Sequence, residues 1–295
     1  MILVTGGTGF VGPKIVGALR AKDLPVRLLV RKPEGARELE LRGCELVRGD
    51  VTDAESVRRA AEGCDTVIHL VAILAGAPED FQRVMIDGLH HVVAAARAAD
   101  TQRLVLMSAL GTGEVMKDRV PYFHAKYEME AAVRASGIDH TIFRPSFVFG
   151  GDGGVLPTLL RLVRFSPVIP VMGDGRQRSQ PIWVDDVAAF FAASLDLEQA
   201  RNRTWELGGP DAVTWNELYG RIRGVLGKRR ATVHMPMGLM RRQAALLERL
   251  PRPPLTRDQL TMLEGPDNVA DMRPALEAFQ LPLVGLDEQI RRAAA

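Results

Sequence analysis

The chain of 295 residues is 46% hydrophobic and 25% charged, with a formal net charge of +2 at pH 7; that length suits one large or two ordinary domains and buries about three quarters of the unfolded surface, so a core needs neither disulfide nor metal. Near-neutrality offers no chain-wide case for nucleic-acid binding, and two cysteines, Cys44 and Cys64, are too few for a disulfide framework or a zinc site. The longest apolar stretch, 67–77, falls far below the roughly 20 residues of a membrane span.

The chain opens Met1-Ile-Leu-Val-Thr-Gly-Gly7, a strand running into a turn without a basic leader or cleavage site, which predicts a cytoplasmic protein. Near-continuous apolar runs at 2–5, 26–30, 44–47, 66–70, 103–107 and 140–144 read as parallel strands covered on both faces. Helical patterns at 53–61, 79–99 and 121–136 lie between them, the first with Asp53 as N-cap. Strand and helix alternating at this spacing predict an α/β fold, a Rossmann-type doubly wound parallel sheet over residues 1–150. Gly150-Gly-Asp-Gly-Gly154 and repeated prolines then punctuate the chain. Residues 151–295 read as a small, less regular C-terminal α/β lobe, a substrate or partner lobe, with helices at 185–197 and 214–226 and a strand at 204–207 between them.

Thr5-Gly6-Gly7-Thr8-Gly9-Phe10-Val11-Gly12 ends the first strand and opens the first helix. Glycines at 6, 9 and 12 answer the demands of a tight turn, close approach to a pyrophosphate and tight helix–strand packing. The helix N-terminus then presents N–H groups and partial positive charge to phosphates. Arg31 and Lys32 end the second strand with no carboxylate before them, which favours NADP(H) over NAD(H), because an arginine suits a ribose 2′-phosphate. Asp50, followed by Val51, is placed to accept from an adenine amino group, and the backbone of Leu70, Val71 and Ala72 to flank the adenosine ribose.

These motifs, with Arg144-Pro145-Ser146, resemble the extended and atypical short-chain dehydrogenase/reductases. Tyr122-Phe-His-Ala-Lys126, Gly173-Asp-Gly175, Pro181-Ile-Trp-Val-Asp-Asp-Val187, Trp205-Glu-Leu-Gly-Gly-Pro210 and Pro254-Leu-Thr-Arg-Asp-Gln-Leu260 are similar to one atypical branch. That branch holds bacterial relatives of the nucleotide-binding accessory subunit of respiratory complex I. The resemblance adds Pro145 and Phe147 to the cofactor-binding set and implies roles for Tyr122 and Lys126. The Tyr hydroxyl exchanges a proton with a substrate oxygen while hydride moves at the nicotinamide. Lys126 holds the nicotinamide ribose and lowers a phenol pKa that is ordinarily about 10.

The pattern departs from the superfamily at two points. Ser108 is the only hydroxyl in Leu106-Met-Ser-Ala-Leu110, and alignment with the sugar epimerases puts Leu110 at the catalytic Ser/Thr position. Ser108 is therefore carried both as a catalytic candidate and as a hydrogen-bonding neighbour of the nicotinamide. Met85 stands where the superfamily often has a relay Asn. His90 and His91 lack metal-ligand spacing, His124 lies off the Tyr122–Lys126 face, and the cysteines read as free thiols, so no metal site is expected.

Residues 221–257 hold ten basic side chains and one acid, Glu248. Apolar positions at Leu239, Met240, Ala244, Leu246, Leu247 and Leu250 give 236–250 an amphipathic helical pattern. The segment reads either as a solvated face or as a peripheral contact with an anionic membrane, at its inner face, or with an acidic partner. Two functions remain open: an NADP(H)-dependent oxidoreductase or epimerase-like enzyme on a small carbonyl, sugar or quinone-like substrate, and a non-catalytic NADP(H)-binding accessory or regulatory protein.

Overall fold

The computed structural model describes residues 1–248 and 256–295. The six apolar runs become strands β1 (Ile2–Thr5), β2 (Val26–Val30), β3 (Glu45–Arg48), β4 (Thr66–His69), β5 (Arg103–Met107) and β6 (Asp139–Pro145). A seventh strand, Arg203–Leu207, completes a sheet of order β3-β2-β1-β4-β5-β6-(203–207). Every pairing in it is parallel, so all carboxyl ends emerge on one edge. Thr5 lies opposite Leu29 on one side and His69 on the other. The strand order turns back on either side of β1, which makes the gap between β1 and β4 the topological switch point.

The described chain divides into two units. Met1–Pro145, Val184–Leu207 and Met272–Pro282 form the first; Ser146–Trp183, Gly208–Asp271 and Leu283–Ala295 form the second. The first exit, at Pro145, lies close to the glycine-rich segment, and the chain then returns twice. The strand expected at 204–207 within the C-terminal lobe belongs to the main sheet, paired with β6 from Arg203↔Thr141 to Leu207↔Pro145. Helix Val184–Ser194 makes the crossover, and the added strand covers what is otherwise an open sheet edge. Its Trp205 joins a buried cluster with Phe143, Phe190, Phe191 and Phe279, with Phe279 5.1 Å from both Trp205 and Phe190.

One sheet face packs Leu3, Val67, Leu104 and Leu106 against Met85, Leu89, Val92, Ala125, Met129 and Val133. On the other, helix Gly12–Arg20 buries Ile15, Val16 and Leu19, and Lys14 pairs with Asp185 at 3.5 Å. Asp53 caps helix Ala54–Ala61 as expected, its Oδ1 accepting from the Glu55 N–H at 3.2 Å. The helix expected over 79–99 is not uniform: Pro78–Phe81 and Gly88–Ala98 flank a π-helical turn, Gln82–Asp87. The wider turn lets Met85 and Ile86 both face the core. Among the described residues no helix is long and apolar enough to cross a membrane.

Three two-stranded ribbons build the second unit, pairing Val148–Phe149 with Ile182–Trp183, Arg178–Ser179 with Val213–Thr214, and Val168–Met172 with Ala231–Met235. Thr214 and Glu217 form a capping box on helix Trp215–Leu226, which packs on helices Leu156–Phe165 and Leu286–Ala294. Helix Met237–Leu247 falls within the expected 236–250 pattern, but among the described side chains only Ala244 of the named apolar positions is buried there. Leu239 and Leu246 are exposed; Leu250, Arg249, Arg252 and Pro254 lie outside the described residues, and the side chain of Leu247 is not described.

Candidate functional site

The turn after β1 is shaped by steric necessity. Gly6 has φ +76°, and a Cβ there would stand 2.9 Å from both the Leu70 carbonyl carbon and the Val71 nitrogen. At Gly12 a Cβ would meet the Gly7 carbonyl oxygen at 2.4 Å. The Gly9 N–H closes the turn on the Gly6 carbonyl at 3.1 Å, and Thr8 and Gly9 are exposed on it, with Phe10 half-buried and Val11 buried. No side chain caps helix Gly12–Arg20, so its first turn is left for an anion. The cradle fits a dinucleotide: a side chain at Gly6 or Gly12 would close it, and its helix N-terminus is uncapped.

The other expected cofactor residues emerge along the same edge. Arg31 and Lys32 are exposed just beyond β2. Asp50 Oδ1 accepts from the Thr52 N–H and hydroxyl, both at 3.0 Å. Val51 is buried, and its carbonyl pairs with His91 Nδ1 at 2.8 Å, which gives that histidine a structural partner. The Leu70 N–H donates to the Thr5 carbonyl at 3.0 Å, leaving Leu70 and Val71 half-buried and Ala72 exposed. Pro145 ends β6, and its carbonyl accepts from the Leu110 N–H at 2.9 Å. Phe147 belongs to the second unit, where its ring meets Trp215 edge-on at 6.0 Å.

Helix Pro121–Arg134 carries the Tyr–Lys pair. The Lys126 ammonium donates to the Met107 carbonyl at the end of β5 at 2.7 Å and lies 5.8 Å from the Tyr122 ring centroid. Lys126 is 1% exposed. Burial pulls its pKa down to about 7, against the opposing pull of the Glu130 carboxylate. Burial likewise pushes the Tyr122 phenol well above its ordinary range, opposite to the lowering expected from Lys126. His124 is exposed, off this face.

Ser108 is placed differently from a free hydroxyl. It is buried, donates to Glu130 Oε1 at 2.6 Å and lies 3.3 Å from the Thr112 hydroxyl. Glu130 also receives a bidentate pair from Arg144, both bonds at 2.7 Å, and one bond from Arg134 at 2.6 Å. Burial raises the Glu130 carboxyl, but these donors outweigh it and hold the pKa below the carboxylate range. The Glu130 network escaped the sequence reading, although Tyr122, Lys126, Glu130 and Arg134 recur every four residues on one helix face. His69 was also passed over as a side chain. It is fully buried, its Nδ1 is 2.7 Å from the Thr5 hydroxyl, and its Nε2 has no partner among the described residues. Burial and then the Lys126 charge push its pKa down to about 3, so the ring stays neutral. Both cysteines are free and buried, His90 is exposed, and no group of three metal-ligating side chains occurs among the described residues.

A doubly wound parallel sheet with a glycine-lined turn and an uncapped helix at its switch point defines a dinucleotide-binding protein. Known proteins agree. The sequence profile of the NAD(P)H-binding family matches residues 6–198; the chain belongs to this family, within the atypical short-chain dehydrogenase/reductases that its motifs resemble. It is 32% identical to the ceramide reductase of Caulobacter vibrioides over 249 residues, 80% of this chain and 74% of that one. To the mitochondrial NADH dehydrogenase [ubiquinone] 1 alpha subcomplex subunit 9 of Arabidopsis thaliana it is 29% identical, over 73% of this chain and 55% of that one. The NADPH-dependent quinone oxidoreductase of Escherichia coli, solved with NADPH, shares the fold at TM-score 0.79 and 20% identity, over 98% of both chains. An NAD complex of Bacillus cereus UDP-glucuronic acid 4-epimerase shares it at TM-score 0.78 and 19% identity, over 99% of this chain and 97% of that one.

Proposed function

We propose that the protein is an NADP(H)-dependent reductase of a small carbonyl or quinone-like compound, with Tyr122 as proton donor and Lys126 as its charge partner. The observation that carries this reading is the buried Lys126 amine, 5.8 Å from the Tyr122 ring and with its pKa drawn to about 7. A phenol held above its ordinary pKa is protonated before reaction, which suits delivery of a proton to a carbonyl oxygen. Bound NADPH supplies the hydride. The Lys126 ammonium then stabilises the phenolate that remains and holds the nicotinamide ribose. Gly6, Gly9 and Gly12 admit the pyrophosphate, Asp50 takes the adenine amino group and Arg31 the 2′-phosphate. The 32% identity to a protein named ceramide reductase supports the reductive direction.

A non-catalytic accessory role is the second reading, and two observations favour it: Ser108 is committed to Glu130, and Met85 fills the relay position with apolar bulk. One experiment separates the two. NADPH oxidation is followed with a panel of carbonyl and quinone acceptors, for the wild type and for Tyr122→Phe. The reductase reading expects turnover that falls about 10²-fold or more in the variant while NADPH still binds. Tight NADPH binding with no turnover on any acceptor returns the protein to the accessory reading.

A further inference from the structure

In the second unit, the ribbon of Val168–Met172 and Ala231–Met235 has one face that is apolar throughout. Val168 pairs with Ala231, Pro170 with Val233 and Met172 with Met235. Opposed residues share a face and neighbours along a strand alternate, so these six form one surface. The intervening Ile169 and Val171 point into the core and are fully buried. Val168, Pro170, Ala231 and Val233 are exposed, Val233 at 49%. Phe165, the last residue of the helix entering this ribbon, is 73% exposed. An aromatic ring left that open beside an apolar sheet face marks an interaction surface.

At the end of this face that carries Phe165 the charge is cationic. Arg230 donates to the Val163 and Arg164 carbonyls at 3.4 and 3.2 Å, which fixes it beside the helix end that carries Phe165. Arg164 donates to the Ala294 carbonyl and Arg223 to the Arg230 carbonyl. These partners are carbonyls, so the cationic charge is not neutralised. Lys228 and Arg229 are exposed and, among the described residues, make no ion pair. Elsewhere in the described basic segment Arg221 pairs with Asp287 and Asp211, Arg241 with Glu264 and Arg257 with Glu248, while Arg242 is exposed and makes no ion pair among the described residues. Four cations without an acidic partner among the described residues, Arg164, Lys228, Arg229 and Arg230, therefore gather at one end of the apolar ribbon.

We propose that this face docks on an anionic lipid bilayer. Phe165, Val168 and Val233 enter the boundary between headgroups and acyl chains, while Arg164, Lys228, Arg229 and Arg230 meet lipid phosphates. Long cationic side chains around an apolar centre suit a fluid anionic surface, which offers charge wherever they reach and demands no fixed partner geometry. The surface lies outside the dinucleotide turn, and the proposal stands whether or not the protein turns over a substrate.

The test is cosedimentation of the full chain with vesicles of phosphatidylcholine alone and with phosphatidylglycerol added, at about 0.1 M and about 0.5 M salt. Pelleting with phosphatidylglycerol is expected at low salt, at least about tenfold above the neutral vesicles, with a steep fall at high salt. Lys228→Glu with Arg229→Glu should reduce low-salt binding about tenfold or more. Phe165→Ser with Val233→Ser should remove the part that survives high salt; both positions are exposed, so the core is kept. Calorimetric NADPH binding should be unchanged in both double variants, which separates a failure of docking from a failure of the dinucleotide reading. Equal, negligible pelleting with both lipids would overturn the proposal, as would lipid binding indifferent to both pairs of substitutions. A wild-type dimer that Phe165→Ser with Val233→Ser dissolves would assign the face to a second copy and overturn it too.

Discussion

Lys126→Met should make the nucleotide-free protein more stable at neutral pH and abolish the proposed reduction. The lysine pKa falls from 10.5 to about 7 in the folded chain, which at about 1.4 kcal/mol per pH unit places a cost of about 5 kcal/mol on keeping the ammonium buried. Below the folded value both states hold the proton and the whole cost is felt. Between pH 7 and 10.5 the unfolded chain still binds a proton that the native amine has released, so stability rises with pH and the cost fades, vanishing above the unfolded value. Methionine has similar length and no charge. Against its gain stands the lost bond from Lys126 Nζ to the Met107 carbonyl, worth about 1.5–3 kcal/mol for a charged donor. The balance at pH 7 favours the variant by about 2 kcal/mol, or roughly 3 °C in Tm for a chain of this size. The gain should shrink with pH and change sign near about pH 10, where the fading cost equals the roughly 0.5–1.5 kcal/mol bond of what is by then a neutral amine donor. Thermal unfolding of both proteins from neutral to alkaline pH, without nucleotide, measures it. A Tm difference that is negative at pH 7, or flat across that range, refutes the reasoning.

Three further outcomes follow from the same geometry. Glu130→Gln leaves Arg144 and Arg134 facing a neutral amide in a buried position and should cost about 3–5 kcal/mol in urea unfolding; because the native carboxyl pKa is depressed, the wild-type advantage should disappear as pH falls through the carboxylate range. Gly12→Ala puts a methyl 2.4 Å from the Gly7 carbonyl oxygen, and calorimetry should show NADPH affinity reduced at least tenfold, about 1.4 kcal/mol. Arg31→Ala should remove most of a preference for NADPH over NADH of about tenfold to a hundredfold and leave NADH affinity nearly unchanged; equal affinities in the wild type would count against Arg31 as the 2′-phosphate partner.

Much of the first unit was legible because its signals are local. The apolar runs of β1, β2 and β4–β6, the Asp53 cap and the Gly6–Gly12 turn each declare themselves within a few residues. Sequence spacing placed Tyr122 and Lys126 on one helix face but carried no sign that Glu130 binds Arg144, because that pair is made by a strand and a helix meeting in the fold. Residues 204–207 read correctly as a strand and incorrectly as part of the C-terminal lobe. A short apolar run does not announce which sheet edge it will join; the open side of β6 and the rings of Phe143, Phe190 and Phe279 decide it. The π turn at 82–87 has no glycine or proline within it to mark it, and only Met85 and Ile86 sharing the core side betray the extra residue. The apolar ribbon face escaped notice because Val168–Met172 and Ala231–Met235 are far apart in sequence, and neither alternates clearly enough alone to show which side stays bare.

The return of Arg203–Leu207 and Phe279 to the sheet of β1–β6 sets the order in which a ribosome can finish this protein. When Pro145 has left the exit tunnel, six strands can pair, but Phe143 still lacks the rings 4.7 Å and 6.0 Å away that Phe191 and Phe279 will bring. At about 5–20 residues per second, Phe279 follows on the order of ten seconds later. Through that interval the nascent chain displays an incomplete sheet with an apolar border beside β6. Chaperone capture should therefore peak on chains stalled between the emergence of β6 and that of the seventh strand, and end only once Phe279 has emerged to seat against Trp205.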